Sequence, residues 1–233
     1  MKTIAHRGDH TIHPGNTLPA FQAALDAGAD GIEFDVRLTA DLVPVVFHNT
    51  TLPDTRLVCN LSHDEIKCVR IPAANGQEYT IPTLRDVLAN FGGKLYLELH
   101  VQPTAPEVIP IIGEMLSEYR SIWEEMEVTS YEPAILLGFQ AQCAGIATDL
   151  LLPNPEPWMT LEIVTRLSID KARLAQARAI HIHPDRLSPD VVEQVRSHGF
   201  AVHCWDVNAR DKWDHIKALG AVQFTTDNIH LFI

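Results

Sequence analysis

The feature that most restricts how this chain can fold is an alternation running from end to end. Strand-like runs at residues 3–6, 31–38, 94–100, 127–130, 143–149, 179–183, 200–205 and 221–225 are separated mostly by segments with helical apolar spacing. In the first such segment Asn16 or Thr17 serves as cap, Leu18, Phe21, Ala24 and Leu25 recur at helical intervals, and Gly28 ends the run. Further helices are expected at 83–90, 106–120, 132–139, 160–168, 189–198 and 210–219, whereas 50–82 reads as irregular with a short helix at 63–68. Strand and helix alternating over roughly 250 residues is the layout of a parallel eight-stranded (β/α)8 TIM barrel. No linker-like or charge-block segment divides the 233 residues, so a single domain spanning 1–233 is expected.

Residues 31–48, GIEFDVRLTADLVPVVFH, carry the chemistry. With a period of two, Glu33, Asp35 and Arg37 face one side of a strand, and Ile32, Phe34, Val36 and Leu38 the other. Thr39-Ala40-Asp41-Leu42 is too short for a parallel crossover, so the run 43–47 returns as an antiparallel hairpin arm. A loop of those four residues pairs Leu38 with Val43 and Glu33 with His48. Directly opposed side chains lie about 4.5–5.5 Å apart at Cβ, so the turn alone brings an imidazole beside a carboxylate pair. A slip of one residue would reverse the face of His48.

A formal net charge of −12 argues against nucleic acid as partner, since neutralising phosphates needs a basic surface. An anionic substrate must then be held by a metal or a few arginines against the global field. Cys59, Cys68, Cys143 and Cys204 form neither a C-x-x-C pair nor a zinc spacing, as expected of free thiols in a reducing cytosol. No run approaches the roughly 18 apolar residues of a membrane span. A cytoplasmic protein without an integral membrane segment is expected.

Barrel enzymes place their chemistry where strands end, and His6, Glu33, Asp35, Glu98, His100, His183, Trp205 and Asp227 gather there. Glu98 lies between two leucines, where an unpaired carboxylate is costly, so it needs a cation; Lys94 on the same alternating face is the local choice. Glu33, Asp35 and Glu98 together make an oxygen-only site suited to Mg²⁺ or Ca²⁺. His6 and His48 beside it can exchange acid and base roles near neutral pH, and Arg7 can hold a non-bridging phosphoryl oxygen. The chemistry reached is metal-assisted phosphodiester cleavage.

At these residues the chain resembles the glycerophosphodiester phosphodiesterase family. The likeness covers nearly the whole sequence: His6-Arg7-Gly8, Pro14-Gly15-Asn16-Thr17, Glu33-Phe34-Asp35-Val36, Val45-Val46-Phe47-His48, Ile81-Pro82-Thr83-Leu84, Leu97-Glu98-Leu99, Trp205-Asp206-Val207-Asn208 and Thr226-Asp227. The resemblance implies a barrel, a divalent ion on Glu33, Asp35 and Glu98, His6 with His48 as acid–base pair, and Arg7, His100 and Trp205 toward the substrate. It also implies attack of the glycerol 2-hydroxyl on phosphorus, with a cyclic phosphate then opened to glycerol 3-phosphate. Departures from the family pattern are Gly15 for a glutamate, Asn49 for an aspartate, His100 for a lysine, Asp206 for a threonine and Ile229 for a proline.

Three other functions compete. A sphingomyelinase D-like transfer shares the barrel and the histidine pair but needs an apolar lipid-contact surface. A degenerate barrel would bind a phosphorylated metabolite without turnover, a reading that rests on Gly15 and His100. A zinc amidohydrolase is disfavoured because His181-x-His183 lies late in the chain.

Overall fold

The computed structural model describes residues 1–73, 76–102, 105–153 and 156–233. In chain order the strands are β1 (Lys2–His6), β2 (Gly31–Leu38), β3 (Pro44–Val46), β4 (Ile71–Pro72), β5 (Glu78–Tyr79), β6 (Tyr96–Val101), β7 (Met126–Ser130), β8 (Ala147–Leu151), β9 (Ala179–Ile182), β10 (Ala201–Cys204) and β11 (Gln223–Thr226). The α-helices are α1 (Leu18–Ala27), α2 (His63–Lys67), α3 (Leu84–Phe91), α4 (Val108–Ser117), α5 (Pro133–Gln142), α6 (Leu161–Leu174), α7 (Pro189–Ser197) and α8 (Arg210–Ala218). Eight strands run parallel in the order β1-β11-β10-β9-β8-β7-β6-β2, and pairing of β1 with β2 closes the barrel. β3 adds to β2 antiparallel as the expected hairpin arm; β4 and β5 form a separate pair.

Alternation along each strand separates two environments. Ile32, Phe34, Leu97, Leu99, Val128, Leu150, Ile180, Val202 and Phe224 face outward into the core shared with the helices. There Phe21 of α1 meets Phe34 and Phe91, each with ring centroids 5.8 Å apart. The opposite face fills the barrel with Glu33, Asp35, Glu98, His100, Glu127, Asp149, His181, His203 and Gln223, all buried. Branched apolar side chains dominate most barrels of this architecture; a polar interior must instead be held by internal partners.

Glu98 finds its partners inside. Gln223 Nε2 donates to Glu98 Oε2 at 2.9 Å, and His181 Nδ1 lies 3.5 Å from Glu98 Oε1. Lys94 is exposed in the turn before β6, so it is not the cation that the alternation suggested. Arg178, just ahead of β9, ties Glu127 and Asp149 from the amino-terminal end of the barrel.

Two further expectations shift. Residues 143–146 do not begin β8, because Cys143 caps α5 and Gly145 turns at φ +112°. Helix α6 runs to Leu174 rather than stopping near Ser168. The Thr165 and Ser168 hydroxyls donate to the carbonyls of Leu161 and Val164, four residues back, so neither polar group breaks the helix.

Candidate active site

At the end of β1 the chain must turn sharply. Arg7 takes φ +58° and Gly8 φ +82°, which brings the Arg7 N–H onto the Glu33 carbonyl at 2.9 Å and the Arg7 Nε to 3.3 Å from Asp35 Oδ2. A side chain at Gly8 would lie 2.6 Å from the Ala20 carbonyl carbon of α1. Asn16, also at positive φ, donates from Nδ2 to Asp35 Oδ2 at 2.9 Å. Thr17 caps α1.

The hairpin register differs from expectation by one residue, with Leu38 opposite Pro44 and Val36 opposite Val46. The cause is the turn. Thr39 N donates to the Val43 carbonyl, Val43 N donates to Thr39 Oγ1, and Leu42 adopts φ +64°, so the loop spans three residues instead of four. The Phe47 N–H still donates to the Asp35 carbonyl at 3.0 Å, and in this register Glu33 and His48 are not a ladder pair. His48 reaches the cavity by another route: Arg37 Nε and Nη2 both donate to its carbonyl, at 2.9 and 2.6 Å.

A cavity of about 340 Å³ opens at the carboxyl end of the barrel, lined among others by His6, Arg7, Glu33, Asp35, His48, Glu98, His100 and Trp205. The eight residues given roles from the sequence therefore meet in one place, whereas His183 and Asp227, also noted at strand ends, are not part of its lining. Tyr131, Gln102 and Asp206 join them. Glu33, Asp35 and His100 form a donor group, with one ligand atom from each within 4.8 Å of the others. Glu98, opposite Glu33 across β2 and β6, lies beneath with its oxygens turned to Gln223 and His181.

Burial and the neighbouring Asp35 push the Glu33 carboxyl above its ordinary range. Asp35 is buried too, yet His100, Arg7 and His48 hold it far below the usual carboxylate range. Glu98 is pushed well above that range by burial, Glu127 and Glu33. Three buried carboxyl groups in series, at least one of them driven toward protonation by its neighbours, fit a divalent cation held by Glu33, Asp35 and the His100 imidazole. His100 thereby joins the oxygen donors as a candidate ligand, a role the sequence reading did not give it.

The two imidazoles are tuned in opposite directions. Burial disfavours charge on His6, but Asp227, whose Oδ1 lies 2.6 Å from His6 Nδ1, and Glu33 outweigh it and raise the group. Asp227 is itself oriented by Asn208, which accepts its N–H at 2.7 Å, and His10 approaches the same oxygen at 2.9 Å. Burial lowers His48 despite the attraction of Asp35. Its Nδ1–H donates to Asn49 Oδ1 at 2.8 Å, which leaves Nε2 as the basic nitrogen. The Asn49 contact itself favours the charged form, so it is burial, with the charges of Arg7 and Arg37, that lowers His48.

Residues 6–231 match the model of the glycerophosphoryl diester phosphodiesterase family. The chain belongs to this family of phosphoric diester hydrolases. It is 29% identical to the glycerophosphodiester phosphodiesterase of Caldanaerobacter subterraneus, covering 98% of this chain and 95% of the relative. Identity to glycerophosphodiester phosphodiesterase 1 of Bos taurus is 25% over 98% of this chain and 78% of the other. Among solved structures, a putative glycerophosphoryl diester phosphodiesterase from Silicibacter pomeroyi shares the fold with a TM-score of 0.84 at 24% identity, covering 97% and 90% of the two chains. An Oleispira antarctica phosphodiesterase in complex with sn-glycerol-3-phosphate does so with a TM-score of 0.80 at 22% identity, covering 97% and 93%.

Within this family frame, sequence reasoning passed over His10 and named Asp227 at a strand end without giving it a partner. Thr226-Asp227 figured in the resemblance without a role, and its contact with His6 depends on β11 and β1 being neighbours across the barrel closure. Trp205 and Asp206 lie at the rim, where the Trp205 and His183 rings meet edge to face at 5.0 Å and Asp206 takes φ +61°. The Trp205 indole N–H is buried and has no hydrogen-bond partner among the described residues.

Proposed function

We propose that this chain hydrolyses a glycerophosphodiester to glycerol 3-phosphate and an alcohol, dependent on a divalent cation, Mg²⁺ or Ca²⁺, with His6 as general acid and His48 as general base. The observation that carries the reading is the opposite tuning of two imidazoles on one cavity, since environments that push two titratable groups apart divide the acid role from the base role. Glu33, Asp35 and His100, with Glu98 beneath, would hold the cation. When bound, such an ion polarises a phosphoryl oxygen and offsets its charge.

The chain's own groups do the rest. His48 Nε2 takes the proton of the glycerol 2-hydroxyl as its oxygen bonds to phosphorus, and the bond from phosphorus to the alcohol oxygen breaks as His6 protonates that oxygen. Water then opens the cyclic phosphate with the two roles exchanged. Arg7 steadies a non-bridging oxygen, while Trp205 and His100 border the bound ester. The glycerol phosphate held by the Oleispira antarctica relative supports this product class. Free thiols at Cys59 and Cys68 on the surface support a reducing compartment, and no described helix is long and apolar enough to cross a membrane.

The test is release of glycerol 3-phosphate from glycerophosphocholine and related esters, with added Mg²⁺ or Ca²⁺ and after chelation. Release that chelation abolishes and a divalent ion restores supports the reading. Undiminished release without metal removes the cation, and binding of glycerol 3-phosphate without turnover would identify a degenerate barrel instead.

A further inference from the structure

Below the catalytic cavity, four consecutive strands each send one side chain to the barrel axis: Glu127 from β7, Asp149 from β8, His181 from β9 and His203 from β10. One ligand atom from each lies within 4.8 Å of the others, and none of the four is more than 3% exposed. We propose that this cluster binds a second, structural metal ion of the zinc type, separate from the cation of the catalytic cavity.

Distances carry the argument. Four donors about 2.0–2.2 Å from a tetrahedral ion lie about 3.3–3.6 Å from one another. Asp149 Oδ2 lies 3.5 Å from His181 Nε2 and 3.4 Å from His203 Nδ1. His181 Nε2 lies 3.7 Å from Glu127 Oε1 and 3.1 Å from His203 Nδ1. A hydrogen bond between the two imidazoles accounts for only one of these edges. The two edges from Asp149 Oδ2 fall within the range for atoms sharing a small cation, and the Glu127 edge, at 3.7 Å, lies just outside it.

A second observation points the same way. His181 is fully buried, yet its Nδ1 has no hydrogen-bond partner among the described residues and faces Glu98 Oε1 at 3.5 Å. With Nε2 on a metal, the ring proton must sit on Nδ1, and Glu98 becomes its acceptor, the carboxylate–histidine–metal relay that orients such ligands. Tyr96 Oη donates to Glu127 Oε2 at 2.7 Å and the Ala179 N–H donates to Asp149 Oδ1 at 3.1 Å, while the ligand oxygens themselves accept from Gln223 Nε2 on Glu127 Oε1 and from Arg178 Nη2 on Asp149 Oδ2, each at 2.6 Å.

Glu127 and Asp149 both meet the Arg178 guanidinium, and Lys2 is drawn aside over the Tyr96 ring at 3.4 Å. Two imidazoles with two carboxylates select zinc over Mg²⁺ or Ca²⁺, which prefer more numerous oxygens. Gln223 and Glu98 above and Arg178 below enclose the site, so the ion enters as the chain folds.

The test is to unfold and refold the full chain with Zn²⁺ or with EDTA, gel-filter in chelator, and measure bound metal and thermal midpoint; a Co²⁺-refolded sample is examined for the intense visible bands of four-coordinate cobalt. The expected result is about one chelator-resistant zinc per chain, a lower midpoint for the EDTA-refolded protein, and tetrahedral cobalt bands. The zinc should persist in Glu33→Gln and be lost in His203→Gln and Asp149→Asn. Native-like protein refolded with Zn²⁺ that retains none, or zinc lost with Glu33→Gln but kept in both lower-site variants, overturns the proposal. Should those variants fail to fold, the wild-type zinc content and cobalt spectrum decide alone.

Discussion

Replacing Asp227 with asparagine should move the alkaline limb of the pH–rate profile toward acid. In the native site Asp227 Oδ1 meets His6 Nδ1 at 2.6 Å, and this contact is the leading influence that raises His6 against the cost of its burial. Charge-assisted hydrogen bonds contribute about 1.5–3 kcal/mol. Both side chains here are about one-third exposed, 30% and 34%, so the lower end applies. At 1.36 kcal/mol per pH unit this is a fall of about one unit in the His6 pKa. In the proposed role His6 acts protonated, so that role is lost as pH rises through that value. Asp227→Asn should therefore run about tenfold slower on the alkaline side and change little on the acid side. Glycerol 3-phosphate release measured across pH 5–9 by initial rates gives the profile. A uniform loss with the limb unmoved would mean that Asp227 merely supports the turn after β11, and an unchanged profile would remove His6 as the acid.

Three other perturbations test separate links. His48→Ala should lower kcat by about 10²–10⁴-fold, the span of a lost general base, with an unchanged circular dichroism spectrum; a smaller loss would mean that Nε2 of His48 accepts no proton in the reaction. Glu98→Gln should flatten the pH dependence of stability in metal-stripped protein. Because the folded Glu98 pKa is raised, the native state holds a proton the unfolded chain has released, so wild-type stability falls as pH climbs from the ordinary glutamate range to the raised folded value, and urea midpoints should record a steeper slope in the wild type than in the variant, where the raised Glu33 and Glu127 still contribute. Gly8→Ala should destabilise the fold by about 1–3 kcal/mol, from positive φ and the contact with Ala20, read as a lower thermal midpoint.

The placing of residues along the hairpin marks where local reasoning ends. The sequence correctly set Glu33 and Asp35 on one face of β2 and brought His48 to their cavity, but through a pairing that does not form. The register depended on Thr39 closing a three-residue loop with Val43, and the position of His48 on Arg37 gripping its carbonyl. Asp227 was legible as a residue and not as a partner, because 221 positions separate it from His6. The same holds for Glu98, whose neighbours His181 and Gln223 come from β9 and β11 rather than from Lys94 nearby.

By itself, the sequence determined the alternation of strands and helices, the two-faced strands, and the residue types gathered at strand ends, because hydrophobic period and capping act over a few residues. Only the tertiary structure decided which imidazole is raised and which lowered, which donors converge with Asp35, and how charge is shared through the barrel interior. Protonation energies depend on burial and on charges a few ångströms away, and in a closed barrel those charges arrive from strands far apart in the chain.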